Sequence, residues 1–196
     1  MTVAVLALQG AFIEHEHMLK KLGVDTIELR QASDMQKDFD GIILPGGEST
    51  VQGKLLRDLG MFEPLREKIL SGVPVLATCA GMILLAQDIA RQDDTYLATI
   101  PVTVRRNAYG RQLGSFHTEE NVAGIGQVPM TFVRAPYVDA LHSDTAGNKP
   151  EILSVVLDRI VGIRYKNQLA FAFHPELDTD TRIHESFIEM IHNYLQ

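Results

Sequence analysis

The chain has 196 residues, one cysteine, a formal net charge of −7, and 45% hydrophobic and 22% charged residues. These proportions are typical of a globular protein with a sizeable core, and we expect a single domain over 1–196. The acidic balance argues against nucleic acid as a partner, and no apolar run approaches membrane-spanning length. A lone cysteine and the lack of a basic leader segment lead us to expect a cytoplasmic protein without an internal disulfide.

Strand and helix patterns alternate in the first half of the chain. The predicted order is strand 2–8, helix 11–22, strand 24–29, strand 41–45, helices 48–59 and 61–71, strand 73–78 and a helix from 79 to about 90. This βαβα order predicts an α/β fold of three αβα layers, with helices on both faces of a mostly parallel sheet.

The first predicted helix contains Glu14-His15-Glu16-His17, which looks like a metal-binding run. Residues two apart do not share a face of a helix, so the two histidines cannot form the usual paired ligand set. We therefore expect a solvated first helix and no metal site.

An apolar strand, 41–44, leads into Pro45-Gly46-Gly47-Glu48-Ser49-Thr50. A helix is expected to start there, with Ser49 or Thr50 near its cap. Two glycines at a strand end free the backbone to direct an N–H group at an oxyanion. The segment lacks the lysine and the spacing of a nucleotide phosphate loop.

The only cysteine, Cys79, lies between a strand-like run, 73–77, and a run of helix formers, 82–86. A sharp strand-to-helix turn there would place the sulfur at a helix N-terminus, where the dipole favours the nucleophilic thiolate. The alternative is a buried structural cysteine, so a second feature has to support a catalytic role.

That second feature is His174-Pro175-Glu176, after the aromatic strand-like run 168–173. Residues i and i+2 of an extended segment point to the same face, so Glu176 can orient one imidazole nitrogen while the other faces a nucleophile. Cys–His pairing is spatial, and the long gap to Cys79 is no objection. Because Gly46-Gly47 and Cys79 both follow parallel strands, we expect them to meet at the carboxyl edge of the sheet.

The middle of the chain alternates apolar and polar residues between short turns, which predicts antiparallel additions to the sheet. The predicted strands are 101–106, 112–122, 130–135, 151–157, 160–166 and 168–174, with a surface loop at 140–150 and a closing helix at about 180–195.

This half of the chain also contains arginines, a tyrosine and histidines in polar contexts. Arg105, Arg106 and Arg111 could bind phosphate, but the acidic chain favours a carboxylate-binding role. Tyr109 is interpreted as a packing residue with a polar tip. No chemistry is assigned to four further histidines: His117, His142, His184 and His192.

The chain resembles class I (triad-type) glutamine amidotransferases in three blocks: Pro45-Gly46-Gly47-Glu48-Ser49-Thr50, Thr78-Cys79-Ala80-Gly81 and His174-Pro175-Glu176. Within that family it is most similar to the glutaminase subunits of pyridoxal 5′-phosphate synthases. The matching segments are Leu6 to Ala11, Arg106 to Gln112 and Phe132 to Pro136. The match is collinear over essentially the whole chain and implies a flavodoxin-like, class I amidotransferase fold.

The resemblance supplies roles for these residues. Cys79 would attack the side-chain amide of L-glutamine, His174 would move the proton, and Glu176 would orient His174. The backbone N–H groups of Gly47 and Ala80 are candidates for the oxyanion hole. By resemblance, glutamine is held by these residues: Gly47, Glu48, Ser49, Arg106, Val133 and Arg134.

The resemblance further implies a (β/α)₈-barrel synthase partner that receives the ammonia, and no cofactor in this chain. Two residues depart from the family pattern, namely Ala77, where glycine is frequent, and Arg105, where an acidic or neutral residue is expected. The alternatives left open are a cysteine hydrolase, a glutaminase that serves another synthase, and a non-catalytic regulatory module of the same fold.

Overall fold

The computed structural model describes residues 1–106 and 115–196. Its strands are β1 Thr2–Leu6, β2 Asp25–Leu29, β3 Gly41–Leu44, β4 Val75–Thr78, β5 Ala86–Ile89, β6 Ile100–Arg105, β7 Ser115–Val122, β8 Gly126–Val133, β9 Tyr137–Leu141, β10 Glu151–Val156, β11 Arg159–Tyr165 and β12 Gln168–Phe171. Its helices are α1 Phe12–Lys21, α2 Ser49–Asp58, α3 Phe62–Leu70, α4 Ala80–Leu85 and α5 Arg182–Tyr194, with short 3₁₀ turns at Ala32–Gln36 and Pro175–Leu177.

Five neighbouring strands in the order β2-β1-β3-β4-β12 pair in parallel and form one side of the main sheet, with β2 at its edge. The strands β3, β4 and β12 are buried over their whole length, as expected for parallel strands covered on both faces. The predicted α/β fold with a largely parallel central sheet is confirmed.

Antiparallel pairing extends this sheet beyond β12. The order continues β11-β9-β6-β5, with β10 added to β11, and β7 and β8 form a separate antiparallel pair. Within the extension, β5 and β6 are parallel to each other. The predicted antiparallel additions are therefore present among the described residues.

The placement of 168–174 among the antiparallel additions is only half right. The strand β12 is antiparallel to β11 but parallel to β4, with Gln168 opposite Val75 and Phe171 opposite Thr78. An alternating pattern reveals that a strand exists, but the choice of neighbours depends on the whole chain. This pairing brings the end of β12 to the same sheet edge as the end of β4.

The helix predicted from 79 to about 90 is wrong in length. It ends at Leu85, and Ala86–Ile89 forms β5, in which Ala86 lies opposite Ile100. Backbone N–H groups of Leu97 and Thr99 donate to the carbonyls of Leu84 and Leu85, which satisfies the end of the helix. Tertiary pairing has overridden the helix propensity of this run.

Two further differences concern one missed strand and one strand boundary. The strand β9 was not predicted, and its last two residues overlap the predicted surface loop at 140–150. The strand β8 begins at Gly126 although the pattern predicts a start at 130. The predicted residues 112–114 lie outside the described part of the chain.

Gly81 lets α4 approach β3 closely, because a Cβ atom there would lie 2.2 Å from the carbonyl oxygen of Leu44. We predict that Gly81→Ala destabilises the fold by about 1–3 kcal/mol, since a backbone clash outweighs the roughly 1 kcal/mol gain in helix propensity. Denaturant unfolding checks this result. Gln87→Ala, at an exposed position just after the same helix, is the control and should change stability by less than about 0.5 kcal/mol. A Gly81→Ala variant at least as stable as the unmodified protein would contradict the close approach.

Candidate active site

Four parallel strands end at one edge of the sheet, and the segments that follow them form one pocket. Gln9 follows β1, Gly47 follows β3, Cys79 follows β4 and His174 follows β12. The pocket has a volume of about 230 Å³ and is lined by Gln9, Gly47, Glu48, Ser49, Cys79, Ile83, Arg106, Val133, Arg134 and His174. The structure therefore brings the predicted motif blocks together, as the carboxyl-edge rule predicts.

Cys79 occupies a sharp turn between β4 and α4. Its φ of 46° lies in a region that residues with side chains rarely adopt, and its N–H donates to the carbonyl of Phe171 at 2.8 Å. Such strain is concentrated at functional sites. The sulfur is nearly buried and lies 3.9 Å from the carbonyl oxygen of Val133. The predicted strand-turn-helix geometry is present, although the helix has only six residues.

His174 and Glu176 are in direct contact, with Nδ1 of the imidazole 2.7 Å from Oε1 of the carboxylate. Both side chains are buried. The expected contact is present, but the extended backbone used to predict it is not. The strand ends at Phe171, and His174 precedes the 3₁₀ turn Pro175–Leu177, which folds Glu176 back towards the ring.

The protonation of His174 reflects its two partners. Burial lowers its pKa, but hydrogen bonding to Cys79 and Glu176 and their charges outweigh burial and raise the pKa to about 10. Burial raises the pKa of Glu176, and the hydrogen bond from His174 opposes that shift. The raised pKa keeps His174 as the imidazolium at neutral pH, beside the side chain of Glu176.

The glycine loop after β3 is held at three points. Gly46 donates its N–H to the Thr78 hydroxyl at 3.0 Å and accepts the N–H of Ala11 at 3.0 Å. The N–H of Glu48 donates to the Gln9 side-chain carbonyl at 2.7 Å. The Gly47 N–H, which lies between these bonded groups, has no hydrogen-bond partner among the described residues.

Packing around the loop requires small residues. A Cβ atom on Gly46 would lie 2.2 Å from Cε1 of His174, and one on Gly47 would lie 2.4 Å from Oε1 of Gln9.

Ala80 follows Cys79 at the start of α4, and its N–H also lacks a partner among the described residues. Ala77, which departs from the family pattern, is fully buried in regular register opposite Leu44.

The arginines at the pocket rim are engaged differently. Arg134 pairs with Glu48 at 2.6 Å, whereas Arg106 donates to the neutral side chains of Gln92 and Thr50, both at 3.1 Å. Arg105 instead forms a salt bridge with Asp139 at 2.9 Å. Arg106 is thus the pocket-facing member of the Arg105-Arg106 pair, while Tyr109 and Arg111 lie outside the described residues.

Sequence reasoning missed two lining residues, Gln9 and Ile83, and misjudged the first helix. The helix is not simply solvated, because His15 is fully buried beside His184. The spacing of His15, Met18 and Leu19 was the available signal, since residues three and four apart share one helix face.

Within 1–106 and 115–196, no group of three or more His, Cys, Asp or Glu is placed to hold a metal. No described helix combines the length and the apolar character needed to cross a membrane.

Comparison with known proteins is consistent with this site. The model of the SNO glutamine amidotransferase family matches residues 5–193. The chain is 60% identical over 191 residues to a pyridoxal 5′-phosphate synthase subunit PdxT of Desulfitobacterium hafniense, covering 97% of this chain and 94% of the relative. It is 52% identical over 193 residues to the protein of the same name from Streptococcus pneumoniae, with 97% of each chain covered.

A solved structure described as a glutamine amidotransferase superposes with a TM-score of 0.89 at 38% identity, covering 97% of this chain and 98% of that chain. Fold and site together define a glutamine amidotransferase of the α/β type. More narrowly, the chain belongs to the SNO glutamine amidotransferase family, whose model covers nearly all of it.

The contact between His174 and the sulfur predicts a titration change in Cys79→Ala. Without the Cys79 side chain, only Glu176 opposes the effect of burial, and we expect the pKa of His174 to fall below its value in the unmodified protein. Titration of the ring resonances by NMR checks this, with the exposed His192 as reference in the same spectra. An unchanged His174 titration would show that the sulfur does not interact with the ring.

Proposed function

We propose that this chain, as one amidotransferase domain over 1–196, is the glutaminase subunit of a pyridoxal 5′-phosphate synthase. It hydrolyses L-glutamine to glutamate and ammonia, and a synthase subunit uses the ammonia. The observation that carries the chemistry is one pocket in which a strained cysteine meets a buried His174–Glu176 pair beside a glycine loop. The assignment to pyridoxal 5′-phosphate synthesis is supported by the relatives' shared name.

In the proposed mechanism, Cys79 attacks the side-chain amide carbon of glutamine as the thiolate. His174, which holds the thiol proton, delivers it to the departing ammonia and then activates the water that hydrolyses the thioester. Glu176 holds the Nδ1–H of His174 at 2.7 Å and stabilises the imidazolium form. The buried setting of this pair strengthens the electrostatic interaction.

The tetrahedral intermediates carry negative charge on the former carbonyl oxygen. The N–H groups of Gly47 and Ala80 are the candidate donors, because neither is taken by another described group and both adjoin Cys79 or the pocket. The Glu48 N–H is not available, since Gln9 accepts it.

Recognition of glutamine requires groups for its α-carboxylate and α-amino group. Arg106 is suited to the carboxylate, since its guanidinium has only neutral partners among the described residues. Glu48, already paired with Arg134, adds a carboxylate for the amino group. Ser49 and Val133 complete the lining of the pocket.

The proposed partner is a (β/α)₈-barrel synthase subunit that accepts ammonia directly. Ammonia released into water would be protonated and diluted, so a docked acceptor subunit would have to receive it before it reaches the solvent. The pocket forms at the exposed ends of the strands, where a docked subunit can cover it.

Cys79→Ala tests the nucleophile. We expect glutaminase turnover to fall by roughly 10⁴-fold or more, because the nucleophile is lost while only one sulfur of volume is removed. Ammonia release from glutamine by the complex with the synthase is the measurement. Ser143→Ala, at an exposed loop position, is the control and should keep full activity.

Co-elution with the synthase should be unchanged in Cys79→Ala, which separates loss of chemistry from loss of assembly. Residual turnover above a few per cent would contradict Cys79 as the nucleophile. If the unmodified chain released ammonia only with a different synthase, it would serve a different synthesis. If it released no ammonia with any synthase, it would be a regulatory module.

We further predict that the synthase raises kcat. The orientation of the Gly46–Gly47 peptide depends on one hydrogen bond, from Ala11, which contributes only about 0.5–1.5 kcal/mol. Loss of one oxyanion donor costs about 3 kcal/mol, roughly a hundredfold in rate. Kinetics for glutamine with the chain alone and with saturating synthase check this prediction. Equal kcat values would indicate a site that is fully formed without the partner.

A further inference from the structure

Two buried histidines adjoin the active site but do not line its pocket. His15 on α1 and His184 on α5 are both fully buried, and Nδ1 of His15 lies 2.9 Å from Nε2 of His184. The other nitrogen of His15, Nε2, lies 3.1 Å from the Thr78 hydroxyl and 3.4 Å from Oε2 of Glu176. Neither ring has a part in the chemistry described above.

We propose that His15 is a positioning residue. His184 holds His15 in the neutral tautomer that carries its hydrogen on Nε2, and this Nε2–H points at Glu176 and Thr78. The inference rests on the proposed glutaminase function, because His15 would position Glu176, the residue that orients the proposed catalytic histidine. One ring would then support both the His174–Glu176 pair and the anchor of the glycine loop.

The environment of Glu176 carries the first step. Its Oε1 accepts from His174, whereas Oε2 is shielded from solvent and has no well-formed hydrogen bond among the described residues. A buried carboxylate oxygen without a donor is costly, and the Nε2 of His15 is a donor within reach. The 3.4 Å separation is long, but such bonds often shorten once substrate is bound.

The tautomer follows from the partners of both rings. A bare lone pair on Nε2 of His15 would face the Glu176 carboxylate, so the hydrogen belongs on Nε2 and Nδ1 must accept. His184 then donates from its own Nε2 and leaves its Nδ1 as an unprotonated acceptor. That nitrogen is buried and has no partner among the described residues, which an acceptor tolerates better than a donor does.

Both rings are neutral at physiological pH. Burial lowers the pKa of His184 to about 4, and burial together with the charges of His184 and His174 lowers the pKa of His15. A neutral Nε2–H stabilises the Glu176 carboxylate without competing with His174 for the positive charge. The titratable groups that face this cluster are Glu176, His174 and Glu14.

Thr78 connects the same ring to the loop. Its Oγ1 accepts the Gly46 N–H at 3.0 Å and lies 3.1 Å from Nε2 of His15. A hydroxyl oxygen accepts two hydrogen bonds, so His15 and Gly46 share it. Movement of His15 would therefore disturb both Glu176 and the residue before Gly47.

The experiment compares His15→Phe, which removes both nitrogens, with His15→Gln, whose amide retains a donor near the Nε2 position. His17→Phe is the matched control, since His17 is exposed on the same helix. Values of kcat and KM for glutamine are measured from pH 6 to 9 in the complex with the synthase, together with thermal unfolding.

We expect His15→Phe to lower kcat by about 10- to 100-fold with little change in KM, well short of the roughly 10⁴-fold loss on removing an orienting carboxylate's charge. The acidic limb of its pH profile should move to higher pH, because Glu176 loses a donor and binds its proton more readily. His15→Gln should recover most of the activity. Combined with Glu176→Gln, the effect of His15→Phe should be far from additive.

An equal loss of kcat at every pH, or additivity with Glu176→Gln, would show a merely structural role and overturn the proposal. Should His15→Phe fail to fold, the ¹⁵N resonances of the unmodified protein report the tautomer of His15. We expect the hydrogen on Nε2, and a hydrogen on Nδ1 would contradict the proposal. The tautomer measurement needs no turnover, so it tests His15 even where the unmodified complex is inactive, an outcome that would contradict the proposed function instead.

Discussion

The parallel pairing of β12 with β4 is the constraint on which the site depends. Phe171 lies opposite Thr78 in that pairing and accepts the N–H of Cys79, so the two strands end together. Each strand end then delivers one half of the Cys–His pair to the same edge of the sheet. Because β4 also pairs with β3, the glycine loop reaches that edge as well. The topology thus gathers residues that are distant in sequence without any long-range loop.

Burial of the pair decides its electrostatics. A carboxylate, an imidazole and a thiol that share a space with little water influence one another far more than they would at the surface. Burial alone would neutralise both His174 and Glu176, and their mutual hydrogen bond opposes that tendency for each. The buried His15 and His184 extend the network behind the pocket, where water cannot supply the missing donors. The site is therefore a chain of dependent contacts rather than three independent residues.

Local chemistry made Cys79, the glycine loop and the His174–Glu176 contact predictable from sequence. The contact was predicted from an extended backbone, yet a 3₁₀ turn makes it, so the residue types were more informative than the assumed geometry. The parallel register of β12 and the early end of α4 depend on partners elsewhere in the chain, which local patterns do not encode. His15 was misjudged because the run Glu14 to His17 was tested only as a metal site, although the spacing of His15 from Met18 and Leu19 placed it on the buried face.

We propose Cys79 as the nucleophile and the surrounding pocket as the binding site for glutamine. Covalent labelling tests this directly: the complex with the synthase is treated with a glutamine-analogue electrophile, and the adduct is mapped by mass spectrometry. We expect one adduct, on Cys79, and we expect excess glutamine to prevent its formation. Because the chain has a single cysteine, the mapping is unambiguous. If a complex that hydrolyses glutamine gave no adduct, or if glutamine did not slow the labelling, Cys79 would not be the nucleophile of a glutamine-binding pocket.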